Sequence, residues 1–322
     1  MAVFNGAATL AQTIESLLSQ TLPDIEILAI EDGSTDGSAD VLRQFRDPRL
    51  RAVCSSNYSK LTDALNRGLG LARGQYIARV DADDICLPHR AAAQADYLDA
   101  HPDVAVVGSF MEKFGGRIPL SGDPIIRYPT DPDAVSAALV FRNTVPQPAA
   151  TLRASTLLHH NIRYNATINN RCEDYDLWAR LAMQGFRMAN LPDVLVRYRL
   201  HDKPQTQRDR ESEAAAGEVR FRLLAHLGLQ PDETQKAIHE AISTDNFLPD
   251  RSFIWPAIEW LITLADANDA ASCFDRQAFL RVLTGRFVSL RRFAAARCIE
   301  CPSIQSTPLA PFDSSAAKSA AA

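Results

Sequence analysis

A chain of 322 residues is large for one small module and about the size of one large domain with an appendage. Its 46% hydrophobic and 23% charged residues are globular proportions that exclude a disordered or fibrous chain, and a net charge of −5 argues against general nucleic-acid binding. No apolar run reaches the roughly 18–20 residues a spanning helix needs. The first basic residue is Arg43, so no charged n-region of a secretory signal precedes it, and six scattered cysteines make no disulfide framework. The expected compartment is the cytoplasm.

The first half alternates short apolar runs with helical patterns. Residues 7–19 predict a helix with Leu10, Ile14, Leu17 and Leu18 on one face. Residues 25–30 predict a strand that runs into the Gly/Ser/Asp cluster 31–38. A helix over 38–45, a strand over 51–54, a helix over 61–72 and a strand over 75–80 follow. The last of these leads into Asp81-Ala82-Asp83-Asp84. A helix over 88–100 and a strand over 104–107 complete the regular part. Strands separated by helices of this length indicate βαβ units, hence an α/β fold with a mostly parallel sheet and helices on both faces. Residues 109–171 are irregular and rich in Pro and Asn. A helix over 174–184 and a strand over 194–200 precede a wholly helical region, with helices over 208–226, 231–243, 253–268 and 276–298. The expected divisions are 1–205, a helical 206–300, and a disordered Ser/Ala/Pro-rich tail at 301–322.

In an open parallel sheet, ligands collect at the carboxyl ends of the strands, where both acidic clusters are expected. Residues i and i+2 of an extended segment point the same way, so Asp81 and Asp83 are expected to face one cation or one metal-bound phosphate. Such carboxylates suit Mg²⁺ or Mn²⁺ with a diphosphate completing the shell; the plainer reading is a solvated, helix-capping turn. Glu173-Asp174 opens a helix, which serves either simple capping or delivery of a general base.

Several ordered motifs carry a resemblance. They are Asn5-Gly6, the run 31–38, Asn57 onward through Ala64-Leu65-Asn66-Arg67-Gly68 to Asp84, Pro88-His89-Arg90, Gln94, His101–Gly108 and Glu173–Trp178. Together they resemble the family 2 inverting glycosyltransferases, almost continuously from Ala2 to about His201. The resemblance implies the GT-A fold, a Rossmann-like sheet that binds a nucleotide sugar. It implies donor contacts from Phe4, Asn5, Asp32 (to uracil), Lys60, Asp81 (to ribose or the metal's water shell) and Asp83, with Asp83 holding Mn²⁺ or Mg²⁺ against the diphosphate. Asp174 matches the general base, and His201 a position that supplies a further metal or diphosphate contact. Asp84, Glu173 and Trp178 fall on the acceptor or supporting side. The implied reaction moves a sugar, from a UDP-sugar, to a hydroxyl of a glycan or lipid-linked acceptor in polysaccharide biosynthesis. The alternatives are a catalytically impaired nucleotide-sugar-binding protein and a sugar nucleotidyltransferase, the latter lacking its Gly-rich loop here.

Two features depart from the family. Gln147 stands in Asn143–Ala149 where a His-Pro-Ser-type turn is usual, so an ionic role there is lost. Only Met1–Phe4 precede the Phe-Asn turn, so the first strand is expected to be truncated, or the start to lie upstream. Cys298 and Cys301 form a CxxC with no second pair, which does not make a zinc site. The predicted helix over 276–298 carries six arginines and no acid within 276–297, leaving −11 on the rest of the chain. Its stripe of Leu280, Leu283, Phe287, Leu290 and Ala294 is expected to pack on its own domain; the alternative is peripheral contact with anionic lipid at the inner membrane face. Trp178, Trp255 and Trp260 read as core, with Trp178 placed to support Asp174.

Overall fold

Ile27-Leu28-Ala29-Ile30 is apolar at every position, as a strand covered on both faces must be. It forms most of β2 (Ile27–Asp32), which lies between β1 (Ala2–Val3) and β3 (Leu50–Ser55). The computed structural model describes residues 1–116, 122–167, 172–201 and 207–301; the tail expected from 301 onward lies outside them apart from Cys301. All three strands run parallel, with Ala2 opposite Ile30 and Ile30 opposite Val53. Parallel neighbours require a crossover, and α1 (Ala7–Leu18) and α2 (Ser38–Gln44) supply it. Val3, Leu10, Ile14, Ala29 and Leu42 close into one core cluster. A Val, Leu or Ile side chain contributes about 1.5–3 kcal/mol when fully buried.

After α3 (Leu61–Leu71) the chain builds a second sheet. Its strands are β4 (Tyr76–Ala78), β5 (Ile85–Cys86), β6 (Val104–Phe114), β7 (Ile125–Ile126), β8 (Thr151–Arg153) and β9 (Arg187–Arg199). The order is β4-β8-β6-β9-β5, with β7 on β6. Only β6 and β9 pair in parallel; the other pairs are antiparallel. The parallel pattern read from the sequence therefore holds for β1-β2-β3 and β6-β9. The antiparallel pairs come from strands two or three residues long, mostly within segments that carry no periodicity. The helices of this part are α4 (Arg90–Ala100), α5 (Pro132–Ala138), α6 (Ala154–His159) and α7 (Glu173–Met183).

β6 and β9 run well beyond their predicted lengths. Gly108 and Pro192 are of residue types that commonly interrupt strands, yet β6 and β9 continue through them. Gly108 is there because a Cβ would fall 2.0 Å from Asn190 Oδ1 on the neighbouring strand. Register shifts at Ser109/Phe110 and Phe110/Met111 absorb the irregularity around Pro192.

The chain divides into two compact units, Met1–Val135 with Thr144–Ala215, and Ser136–Asn143 with the chain from Ala216. The second is helical: the later part of α8 (Gln207–His226), then α9 (Glu233–Ser243), α10 (Arg251–Ala271) and α11 (Arg276–Ala295). Asp232, Asp250 and Asp275 accept bonds from the backbone N–H groups of Gln235, Phe253 and Ala278 and so start the last three helices. The stripe Leu280, Leu283, Phe287, Leu290 and Ala294 is buried, as are Ile258, Leu261 and Leu264 of α10. Trp260 is buried too, whereas Trp255 of the same helix, expected in the core, is 40% exposed. The Trp260 Nε1–H donates to His239 Nδ1, so His239 donates from Nε2 to the Val140 carbonyl, a neutral tautomer that burial keeps at a pKa lowered to about 3. Among the described residues no helix is long and apolar enough to cross a membrane.

Candidate functional site

The carboxyl ends of β1, β2 and β3 form one edge of the first sheet. Asp32 ends β2, buried, and accepts from both the Ser59 hydroxyl (2.7 Å) and the Ser59 amide (3.0 Å). It thereby holds the loop that leads into α3. Gly33 has φ +74°, and a Cβ there would lie 2.5 Å from the Tyr58 amide nitrogen, so only glycine lets the two loops close. Asn5, at φ +50°, accepts from the Thr35 amide at 2.9 Å. Asp36 receives the Ala7 amide and the Ser38 hydroxyl, which with Ser38 foremost hold its carboxyl below the usual range. Phe4 and Tyr58, 47% and 53% exposed, touch with ring centroids 4.4 Å apart. Lys60 is exposed at the start of α3.

This edge continues onto the second acidic cluster. The Thr9 hydroxyl donates to the Ala82 carbonyl at 3.2 Å, and a Cβ on Gly6 would meet the Ala82 methyl at 3.6 Å. β4 ends at Ala78, and residues 82–83 form a turn rather than an extended segment. The extended backbone assumed for the alternation of Asp81 and Asp83 is therefore replaced by a turn, and the two carboxylates meet different partners. Asp81 Oδ1 accepts from Arg79 at 2.5 Å. Asp83 Oδ2 lies 2.7 Å from His201 Nε2, which places His201 beside the cluster. Asp84 is fully buried; Oδ1 accepts from the Arg199 amide at 2.8 Å and Oδ2 has no partner. Burial first, then Asp81 and Asp83, push its carboxyl up to about 7 against that hydrogen bond. Its place is support beneath the turn.

Cys172, in the left-handed region at φ +54°, turns the chain into α7. Glu173 is buried and Asp174 half-buried, with Asp174 Oδ1 accepting from the Tyr175 amide at 2.8 Å. Trp178 is fully buried and donates to the Val145 carbonyl at 3.0 Å, fixing α7 from beneath.

Two tyrosines without a sequence signal link the acidic motifs. Tyr198 is pushed up to about 12 by burial and then by the charges of Asp81, Asp84, Asp83 and Asp174. Tyr164 is raised by burial, against Arg79, with Asp174, Glu173 and Asp81 adding to the rise. Its backbone is clamped to α3 by the Asn66 amide, which both donates to the Tyr164 carbonyl and accepts from its N–H at 2.9 Å. Sequence reasoning also missed Arg79, whose charge burial opposes and Asp81 sustains. Gln147 accepts from Arg79 Nη2 at 3.2 Å while its own Nε2 is buried without a partner. Among the described residues no three His, Cys, Asp or Glu side chains converge to hold a metal unaided.

The chain is 33% identical over 200 residues to the amylovoran biosynthesis glycosyltransferase AmsE of Erwinia amylovora, covering 59% of this chain and 70% of that one. It is 28% identical over 214 residues to the Escherichia coli UDP-Glc:alpha-D-GlcNAc-diphosphoundecaprenol beta-1,3-glucosyltransferase WfaP, covering 62% and 76%. In fold it is similar to the Pyrobaculum calidifontis mannosyltransferase PcManGT, solved with GDP-Man and Mn²⁺: TM-score 0.51, 18% identity, 92% of this chain and 82% of that one. Residues 1–171 match the family model described as glycosyl transferase family 2. By that match the chain belongs to glycosyl transferase family 2.

Proposed function

We propose that the protein is an inverting, metal-dependent transferase that moves a sugar from a UDP-sugar to a hydroxyl of a glycan or lipid-linked acceptor. The observation that carries this reading is that carboxylates of the Asp81–Asp84 turn and of the Glu173-Asp174 helix start act electrostatically on the same two tyrosines, Tyr164 and Tyr198. One acidic motif suits a diphosphate-bound cation, and the other suits a base for the acceptor. AmsE and WfaP support the setting, since one is named for polysaccharide biosynthesis and the other for a UDP-glucose donor and a diphosphoundecaprenol acceptor.

In this reading Phe4, Asn5, Asp32 and Lys60 hold the nucleoside, and Asp81 reaches the ribose. The donor set fits a divalent cation. Asp83 and His201 point their polar atoms at each other across 2.7 Å, so one ion would replace that bond. Asp83 would give the ion a carboxylate oxygen, the ligand type that suits Mg²⁺ and Mn²⁺, and His201 an imidazole nitrogen, which favours Mn²⁺ over Mg²⁺, with diphosphate and water left to supply the rest. When bound, the ion supplies positive charge to the departing diphosphate. Asp174 takes the proton from the acceptor hydroxyl, whose oxygen attacks the anomeric carbon opposite the nucleotide. An α-linked donor then gives a β-linked product. A lipid surface would meet α11 through its exposed Arg281, Arg291 and Arg292 by charge alone, since the apolar stripe is already buried.

The test is a donor panel assayed with Mn²⁺ and with EDTA, and the product's anomeric configuration read by NMR. Activity lost in EDTA and restored by Mn²⁺, with inverted product, is expected. Retained configuration, or full turnover in EDTA, overturns the mechanism.

A further inference from the structure

The two aspartates of the turn differ in one respect that the sequence hides: a buried arginine grips only the first. We propose that Arg79 fixes the division of labour between them, holding Asp81 away from the cation and toward the nucleotide, and leaving Asp83 and His201 as the protein's metal donors. The inference rests on the reading above.

Arg79 is 6% exposed and cannot swing aside. Its amide donates to the Ala150 carbonyl at 2.8 Å, and its carbonyl accepts from Arg90 Nη2 at 2.7 Å. Arg90 is itself buried and held by Gln94 Oε1 and Cys86 Sγ, each at 3.1 Å. The Arg79 guanidinium then spends Nη1 on the Val80 carbonyl and Nη2 on Asp81 Oδ1 and Gln147 Oε1. Gln147 comes from the short helical turn Gln147–Ala149, so the fork is braced by a second segment of chain. A charge-assisted bond of 2.5 Å is among the stronger contacts a carboxylate makes, and it sets both the position of Asp81 and its share of negative charge. Among the described residues Oδ2 of Asp81 makes no hydrogen bond, so one oxygen stays available to a ligand. Asp83 has no such cation. Among the described residues its side chain hydrogen-bonds only His201, and Arg199 reaches its main-chain carbonyl instead, at 2.7 Å.

The role is one of positioning, and it predicts opposite shifts in two affinities. With Arg79→Gln, Asp81 is released to join Asp83 and His201. Mn²⁺ affinity without nucleotide, read from the EPR signal of free Mn²⁺, should rise about tenfold, the scale of one added close charge. UDP affinity at saturating Mn²⁺, read by calorimetry, should fall by about the same factor. A purely structural role lowers both. The double variant Arg79→Gln/Asp81→Asn separates the route from the field. If the Mn²⁺ gain disappears in it, Asp81 carries the effect; if the gain survives, the lost cation acts by field alone and the proposal is overturned. Arg79→Lys keeps the charge but not the fork and should give the same pair of opposite shifts at smaller size. Should Arg79→Gln fail to fold, Arg79→Lys and Arg79→Lys/Asp81→Asn decide by the same criterion. Wild-type protein that binds neither Mn²⁺ nor UDP overturns the underlying reading of the site. Wild type that binds both, with variants that shift them together, overturns only the role of Arg79.

Discussion

Replacing Asp174 with Asn tests the base assignment with little collateral change. The side chain sits in the first turn of α7, where Oδ1 accepts from the Tyr175 amide at 2.8 Å. An amide oxygen preserves that bond. Loss of one negative charge at a helix N-terminus costs about 0.3–1 kcal/mol, and Glu173 and Asp176 remain in the same turn. The melting temperature should therefore drop by no more than about 1–4 °C. The catalytic loss should be much larger. A positioned general base is worth about 10² to 10⁴ in rate, which raises the barrier by about 2.7–5.5 kcal/mol. The proposed nucleoside contacts are Phe4, Asn5, Asp32 and Lys60, so on that reading Kd for UDP should stay within a few-fold of wild type. The assays are kcat at saturating donor, calorimetric UDP binding, and a thermal melt on the same preparation. A kcat within a few-fold of wild type refutes the assignment of Asp174 as base. A kcat that falls only in step with lost UDP binding assigns Asp174 to the donor instead.

The remaining predictions concern pH, the nucleotide edge and the long strand pair. His239 has a pKa near 3 when folded and near 6.5 when unfolded, so the unfolded chain takes up the proton first. Its contribution is full above about pH 6.5 and falls by about 1.4 kcal/mol per pH unit as pH drops toward 3; urea melts of His239→Gln should lose that part of the acid slope, and an unchanged slope would falsify the buried neutral tautomer. Ser59→Ala removes a hydroxyl bond to a buried carboxylate, a contact worth about 1.5–3 kcal/mol, and should raise the donor KM with kcat little changed. An unchanged donor KM would detach Asp32 from nucleotide binding. Gly108→Ala places a methyl on Asn190 Oδ1 and should cost about 1–3 kcal/mol by denaturant titration, whereas a neutral result would mean that β6 and β9 separate freely.

What the sequence disclosed and what it hid follow from the range of the interactions involved. Helices such as α1 and α11 were legible because their apolar spacing and caps lie within a few residues of each other. β6 and β9 were cut short because Gly108 and Pro192 carry local penalties, while the pairing that outweighs those penalties joins segments 80 or so residues apart in the chain. The site divides the same way. Acids show themselves by clustering at strand ends or at a helix start, so Asp32, the Asp81–Asp84 turn and Glu173-Asp174 stood out as candidates, while their roles came from the resemblance. Their partners did not stand out. Asn66 finds Tyr164 across 98 residues, and Asp83 finds His201 across 118. Arg79 is harder still: it is one of 34 basic residues, set in a run that otherwise reads as an ordinary strand, and nothing local marks it as buried. The extended-segment reading of Asp81 and Asp83 anticipated neither the turn at 82–83 nor this arginine. Equal carboxylates in a repeating pattern look interchangeable until a cation drawn from the fold engages one and leaves the other, and that asymmetry has to exist before two aspartates can do two jobs.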